Sequence, residues 1–125
     1  MKHFLLFFLL VTFLFACGPA YSPEELSGDW TGLRFTQEGD SVPIDPAQLR
    51  FRFDETGEYT FNGTLRYEES GNYRLERDLL YTKDASRDTS MEKAVKILQL
   101  DPDTLVLKMN AAGREQLLTL KKTDQ

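Results

Sequence analysis

The clearest pattern in the chain is a two-residue alternation of apolar and polar side chains from Leu49 to Leu65, L-R-F-R-F-D-E-T-G-E-Y-T-F-N-G-T-L. Leu49, Phe51 and Phe53 alternate with Arg50 and Arg52. After Asp54-Glu55-Thr56-Gly57, the positions Tyr59, Phe61, Gly63 and Leu65 alternate with Thr60, Asn62 and Thr64. A period of two on both sides of a Gly-containing break is the signature of a β-hairpin with one aromatic face and one polar face. A lone hairpin cannot bury such a face, so the rest of the chain is expected to cover it. The same alternation predicts a strand over Asp29–Phe35, carrying Trp30, and another over Asn72–Glu76, after a turn at Glu68-Glu69-Ser70-Gly71. Further strands are predicted at Leu79–Thr82, Lys93–Leu100, Thr104–Met109 and Gln116–Lys122. Two polar stretches, Thr36–Ala47 and Asp84–Met91, read as long loops able to fold over a barrel end. Ahead of the strands, Ser22-Pro23-Glu24-Glu25 has the shape of a capping box with proline at the first helical position, which predicts one helical turn. About eight strands in hairpin order, with turn signals every eight to twelve residues, define an all-β class. The expected architecture is a single antiparallel up-and-down β-barrel or strongly curved sheet.

The first sixteen residues do not belong to that pattern. Met1-Lys2-His3 is a short cationic start, and Phe4 to Phe15 is apolar except for Thr12. Twelve residues make about 18 Å of helix against a hydrocarbon core of about 30 Å, so the run fits a secretory signal peptide rather than a membrane span. Leu14-Phe15-Ala16-Cys17 resembles the bacterial lipoprotein signal, in which the peptide is cut before an acylated cysteine. The resemblance implies residues 1–16 as signal peptide, 17–22 as a lipidated tether beginning at Cys17, and 23–125 as the folded domain. The membrane would then be held through acyl chains, each buried CH₂ contributing about 0.8 kcal/mol. Gly18 is not the aspartate that retains enteric lipoproteins in the inner membrane, which implies the outer membrane of a Gram-negative cell envelope.

Removing that segment changes the chemistry available. Lys2 leaves with it, so a net charge of −5 becomes −6. An acidic domain lacks the basic footprint that nucleic-acid binding requires. The single histidine, His3, also leaves, and the single cysteine is Cys17. Ser-His-Asp, Cys-His and zinc chemistry are therefore excluded by absence, and no intrachain disulfide can form. No cofactor is expected. Asp101-Pro102-Asp103 offers two acids where calcium needs six to eight oxygens, and turn chemistry accounts for them. Glu24-Glu25 and Glu68-Glu69 are neighbours in sequence, which does not set an acid and a base across a substrate.

Leu26-Ser27-Gly28-Asp29-Trp30 is similar to the G-x-W opening of the first lipocalin strand, behind a short helical turn. Phe51-x-Phe53, Gly57-x-Tyr59, Gly71-x-Tyr73-x-Leu75 and Asp103-Thr104-Leu105-Val106-Leu107 follow the pattern of small lipocalin-like (calycin-type) lipoproteins of Gram-negative bacteria. The resemblance spans Pro23 to Lys122. It implies a barrel whose tryptophan closes the base under a basic side chain from near the last strand, with Arg114, Lys121 and Lys122 as candidates. It also implies a non-enzymatic protein that binds a small hydrophobic ligand.

The expected barrel interior comprises Trp30, Phe51, Phe53, Tyr59, Phe61, Tyr73, Leu75, Tyr81, Ile97, Leu105, Leu107 and Leu118. Eight strands enclose a space that side chains can fill or that can hold one small ligand. The sequence leaves both open, and the tyrosines could present polar handles to a ligand. Arg50, Arg52, Arg66 and Arg74 are expected on the outer face, paired with Glu58 and Glu76, or offered to an anionic partner. The alternative function is accordingly a protein-interaction module, an envelope accessory subunit or inhibitor, using the outer face or the two long loops; its protein partner is unknown.

Overall fold

The computed structural model describes residues 19–85 and 91–123. The expected signal segment, Cys17 and the middle of the Asp84–Met91 loop lie outside the described residues. A helical turn α1, Pro23–Leu26, opens the domain. Its capping box closes in both directions, between the Ser22 side chain and the Glu25 N–H and between the Glu25 carboxylate and the Ser22 N–H. Nine strands follow: β1 (Gly28–Gln37), β2 (Asp40–Ser41), β3 (Arg50–Phe53), β4 (Glu58–Asn62), β5 (Glu68–Glu76), β6 (Leu79–Asp84), β7 (Lys93–Leu100), β8 (Thr104–Ala111) and β9 (Arg114–Thr123). Every neighbour pair is antiparallel, and β1 pairs with both β3 and β9. Eight strands thus close a barrel with no free edge, and β2 is a two-residue addition to the end of β1.

The Leu49–Leu65 hairpin is present as β3 and β4, in the register Phe51 opposite Phe61 and Phe53 opposite Tyr59. The turn between them is built on Asp54, whose carboxylate accepts from the Thr56 N–H, the Thr56 hydroxyl and the Glu58 N–H. Those bonds hold the Asp54 carboxyl below the usual carboxylate range. The strand is shorter than the alternation predicts. It stops at Asn62, and Leu65 and Arg66 stand in a loop with left-handed backbone, φ 57° and 59°. Leu65 is 98% exposed. The predicted turn at Glu68–Gly71 is instead the first half of β5, with Glu69 facing inward.

Two β-bulges adjust which side chains enter the barrel. The β1–β9 register shifts between Gly32 and Arg34, and the β7–β8 register between Ile97 and Gln99. Each leaves one leucine outside, Leu33 and Leu98. Each also returns the following apolar residue to the core, Phe35 and Leu100. An extra residue inverts the alternation locally, which is what a bulge does.

The registers place together at one end the segment from β1 to β3, the β4–β5 loop, the end of β6 with the start of β7, and the tight β8–β9 turn. The segment from β1 to β3 returns over this end through a 3-10 turn, Pro46–Gln48. Gly32 seats it. The Gly32 N–H donates to the Leu49 carbonyl at 2.8 Å, and a Cβ at position 32 would lie 2.2 Å from the Pro46 carbonyl oxygen. Gly32→Ala is expected to push this segment off the barrel and to cost about 1–3 kcal/mol, as overpacking does. Chemical denaturation of the variant checks it; a midpoint equal to that of the parent would show that the segment is not seated there.

Candidate functional site

The barrel interior is filled in one half and hollow in the other. The filled half is built on Trp30, which is fully buried. Its indole N–H donates to the Leu26 carbonyl at 2.8 Å, tying α1 to β1. The Lys122 ammonium lies 5.5 Å from the ring centroid, so of the three basic candidates Lys122 covers the tryptophan. Gly28 leaves it room, since a Cβ there would meet the Lys122 Cε at 2.6 Å. Phe53, Tyr73, Ile97, Leu105 and Leu120 complete this layer. Phe53 meets the Tyr73 ring edge-on at 5.2 Å. The Tyr73 hydroxyl donates to the Asp54 carbonyl.

Above this layer is a cavity of about 390 Å³. Its wall is mostly apolar: Phe35, Leu49, Phe51, Phe61, Leu80, Val95, Leu107, Met109 and Leu118, with Ile44 reaching in from the segment between β1 and β3. The aromatics form a continuous stack from the filled half into this wall. Phe51 lies parallel to Phe53 at 5.3 Å and against Phe61 at 4.6 Å, and the Tyr67 ring meets Phe61 at 6.1 Å. The volume sits at the low end of the range of roughly 300–1,000 Å³ typical of small-molecule sites.

The expected interior residues therefore divide. Phe51, Phe61 and Leu107 line the hollow; Leu118 does too. Trp30, Phe53, Tyr73, Ile97 and Leu105 fill the other half, and Leu75 packs against it. Tyr59 stands at the boundary. Tyr81 does not belong to this set: Leu80 and Thr82 on either side of it face the cavity, so Tyr81 faces out, where the Arg74 guanidinium lies 3.9 Å above its ring. Tyr81 is expected inside, but the register Leu75 opposite Leu80 turns Leu80 inward and its neighbour Tyr81 outward. Cys17 lies outside the described residues.

One charged group in the cavity wall was not anticipated. Glu69 on β5 is 8% exposed. Its carboxylate accepts from the Tyr59 hydroxyl at 2.5 Å and the Tyr67 hydroxyl at 2.8 Å, and the Lys93 ammonium lies 3.5 Å away. The sequence did hold a signal for it, because Glu69, Gly71, Tyr73 and Leu75 alternate in phase with the buried face. Burial first, and then the bond to Glu69, raise the Tyr59 phenol well above its ordinary value of 10.0, and the Asp84 charge adds to this while the Thr82 hydroxyl works against it. A raised folded-state value means that the neutral phenol stabilises the fold fully below about pH 10 and that this contribution is lost as pH rises beyond it. Tyr59→Phe is expected to flatten the alkaline fall in stability, which can reach about 1.4 kcal/mol per pH unit per proton. Urea midpoints from pH 8 to 12 check this; equal slopes in the two proteins would contradict it.

The outer arginines are engaged within the molecule. Arg74 pairs with Glu76 at 3.1 Å and Glu92 at 3.0 Å, and Arg52 with Asp29 at 3.7 Å. Arg50 donates to the Ala47 carbonyl. Arg66 is in the β4–β5 loop and not on a strand face. Asp101 caps its own turn, accepting from the Asp103 and Thr104 N–H groups. Among the described residues no group of three or more His, Cys, Asp or Glu side chains could hold a metal ion, and no described helix is long and apolar enough to cross a membrane.

The model of the lipocalin-like domain family matches residues 26–107, well over half of the chain. The chain belongs to the lipocalin-like family. No curated protein matches it. Among solved structures, a lipocalin-like protein from Bacteroides uniformis superposes with a TM-score of 0.59 at 19% identity, covering 79% of this chain and 99% of that one. At that identity the likeness speaks for the fold. The matched span of this lipocalin-like domain runs from the Leu26 carbonyl that holds Trp30 to Leu107 on the cavity wall, so it includes both the filled half and most of the hollow.

Proposed function

We propose that this lipocalin-like protein is a non-enzymatic binding protein of the bacterial cell envelope, anchored by an acylated Cys17 and carrying one small, mainly apolar molecule in its barrel. The observation that carries the reading is the cavity of about 390 Å³ between Phe51, Phe61, Val95, Leu107 and Leu118. Barrels of this strand number either fill such a space with side chains or keep it for a ligand. The aromatic hairpin could have filled it and does so only in its Phe53–Tyr59 half. The absence of histidine and of a second cysteine from residues 17–125 supports binding over catalysis.

The anchor is supported by Leu14-Phe15-Ala16-Cys17. The Tyr21 N–H donates to the Arg77 carbonyl at 3.2 Å, at the filled end of the barrel. Four residue-to-residue steps lead from Cys17 to Tyr21, a reach of at most about 14 Å. An acylated Cys17 therefore holds the filled end toward its membrane and turns the mouth away from it.

Native mass spectrometry of the protein purified from a Gram-negative host tests the cavity, with one bound small molecule per chain expected. A reproducibly empty barrel overturns the carrier reading. Cell fractionation of Cys17→Ser tests the anchor: the variant is expected to lose processing and membrane association. Retention of both overturns it.

A further inference from the structure

Among the described residues the mainly apolar cavity wall carries one buried charge, Glu69, and that charge selects a head group. We propose that the site takes a ligand whose apolar body ends in a primary ammonium, seated on the Glu69 carboxylate. The proposal rests on the reading of the cavity as a ligand site.

Glu69 sits where an apolar ligand would lie, opposite Phe61 across β4 and β5. A buried carboxylate without partners is costly, and the fold supplies Glu69 with two phenol donors, Tyr59 and Tyr67. Both donors are neutral, so neither cancels its charge. Among the described residues the one cation lining the cavity is Lys93, at the mouth, with its side chain 68% exposed and its ammonium 3.5 Å from the nearer Glu69 oxygen. That contact is longer than the roughly 2.7–2.9 Å of a strong ammonium–carboxylate bond.

A carboxylate accepts at about four lone-pair positions, and Tyr59, Tyr67 and Lys93 occupy three, the Lys93 contact being the longest. A ligand ammonium entering from the mouth can take that position at bonding distance, desolvated by the apolar wall. Lys93 gives way readily, since its own head is exposed to water and its contact with Glu69 is long. An anionic head meets the opposite situation. It must desolvate beside the buried Glu69 carboxylate. A neutral hydroxyl can bond to Glu69 but gains nothing from its charge.

The test is titration calorimetry of the full-length processed protein in phosphatidylcholine nanodiscs at pH 7, with empty discs as the blank. The probes are n-octylammonium, n-octanol and octanoate, which share one apolar body. The expected result is octylammonium binding at least about 10-fold more tightly than octanoate, the ratio that one charge-assisted bond supports. Glu69→Gln should bring the three probes to within about 3-fold of one another, as the charge-assisted term is lost. Lys93→Gln, which removes the competing ammonium, should strengthen octylammonium binding more than octanol binding. Octanoate or octanol binding as tightly as octylammonium overturns the head-group inference and leaves the cavity reading standing. Weakened octylammonium binding in Lys93→Gln overturns it as well. If none of the three probes binds, the cavity reading itself fails, and the inference with it.

Discussion

Trp30→Ala is expected to destabilise the barrel by about 3–5 kcal/mol, the range for removing a fully buried tryptophan. Three losses coincide at this position. The indole buries a large apolar area between the two strands that close the barrel, since Trp30 is paired with Phe51 on β3 and with Lys122 on β9. Its N–H satisfies the Leu26 carbonyl where α1 ends. Its face carries the stem and ammonium of Lys122. For a domain near this size each kcal/mol moves Tm by roughly 4–8 °C, so the variant should unfold close to ambient temperature or fail to accumulate. Trp30→Phe separates the losses. It keeps most of the apolar area and deletes the donor, leaving the Leu26 carbonyl without its indole partner, and should cost about 1–3 kcal/mol. Thermal denaturation of both variants measures the difference. An alanine variant melting within a few degrees of the parent would show that Trp30 does not hold the filled half of the barrel together.

That tryptophan was legible in the sequence because both its chemistry and its position were: the single tryptophan, behind a capped turn, in the first alternating run. The inward parity of β3, β4, β8 and β9 was legible for the same reason, since a residue-by-residue alternation is a direct projection of the pleat. What the sequence obscured is parity wherever alternation is interrupted. Leu33 and Leu98 look like core residues and are exposed because each sits at a bulge. Tyr81 is expected inside and faces out, and Leu79-Leu80-Tyr81-Thr82 has no alternation to decide the matter. Its outward position follows from pairing with Arg74, a relation across strands. Leu65 continues the alternation three residues past the end of the strand at Asn62.

Glu69 was missed for a different reason. Charged residues are assigned to the surface by default, and a buried carboxylate becomes reasonable only once its donors are known. Those donors lie at three other places in the chain, Tyr59 on β4, Tyr67 in the β4–β5 loop and Lys93 on β7. No local pattern brings them together; the closed barrel does. The question of a filled or hollow interior was likewise beyond the alternation, which reports the direction of a side chain but not whether its neighbours reach it.

Val95→Trp is expected to separate the two halves of the interior, raising stability while abolishing ligand binding. Val95 is half-buried on β7, with Lys93 toward the mouth and Ile97 in the filled half, and it is paired with Leu80. Its side chain projects into the cavity of about 390 Å³. A tryptophan there enters empty space, unlike a larger residue at the tightly packed Leu105 or Ile97, where overpacking costs about 1–3 kcal/mol. Filling a void commonly adds about 0.5–2 kcal/mol, because apolar surface that faced a hollow gains packing partners. The same indole occupies the space a ligand body needs, so bound-molecule occupancy by native mass spectrometry should fall at least about 10-fold, a loss of some 1.4 kcal/mol or more in binding. The opposite signs make the test discriminating, since a merely damaged barrel would lose stability and binding together. A variant destabilised by more than about 3 kcal/mol would mean that the hollow is already packed in solution, where overpacking carries that cost. A stabilised variant that keeps its ligand would place the binding site elsewhere than between Phe51, Phe61 and Leu107.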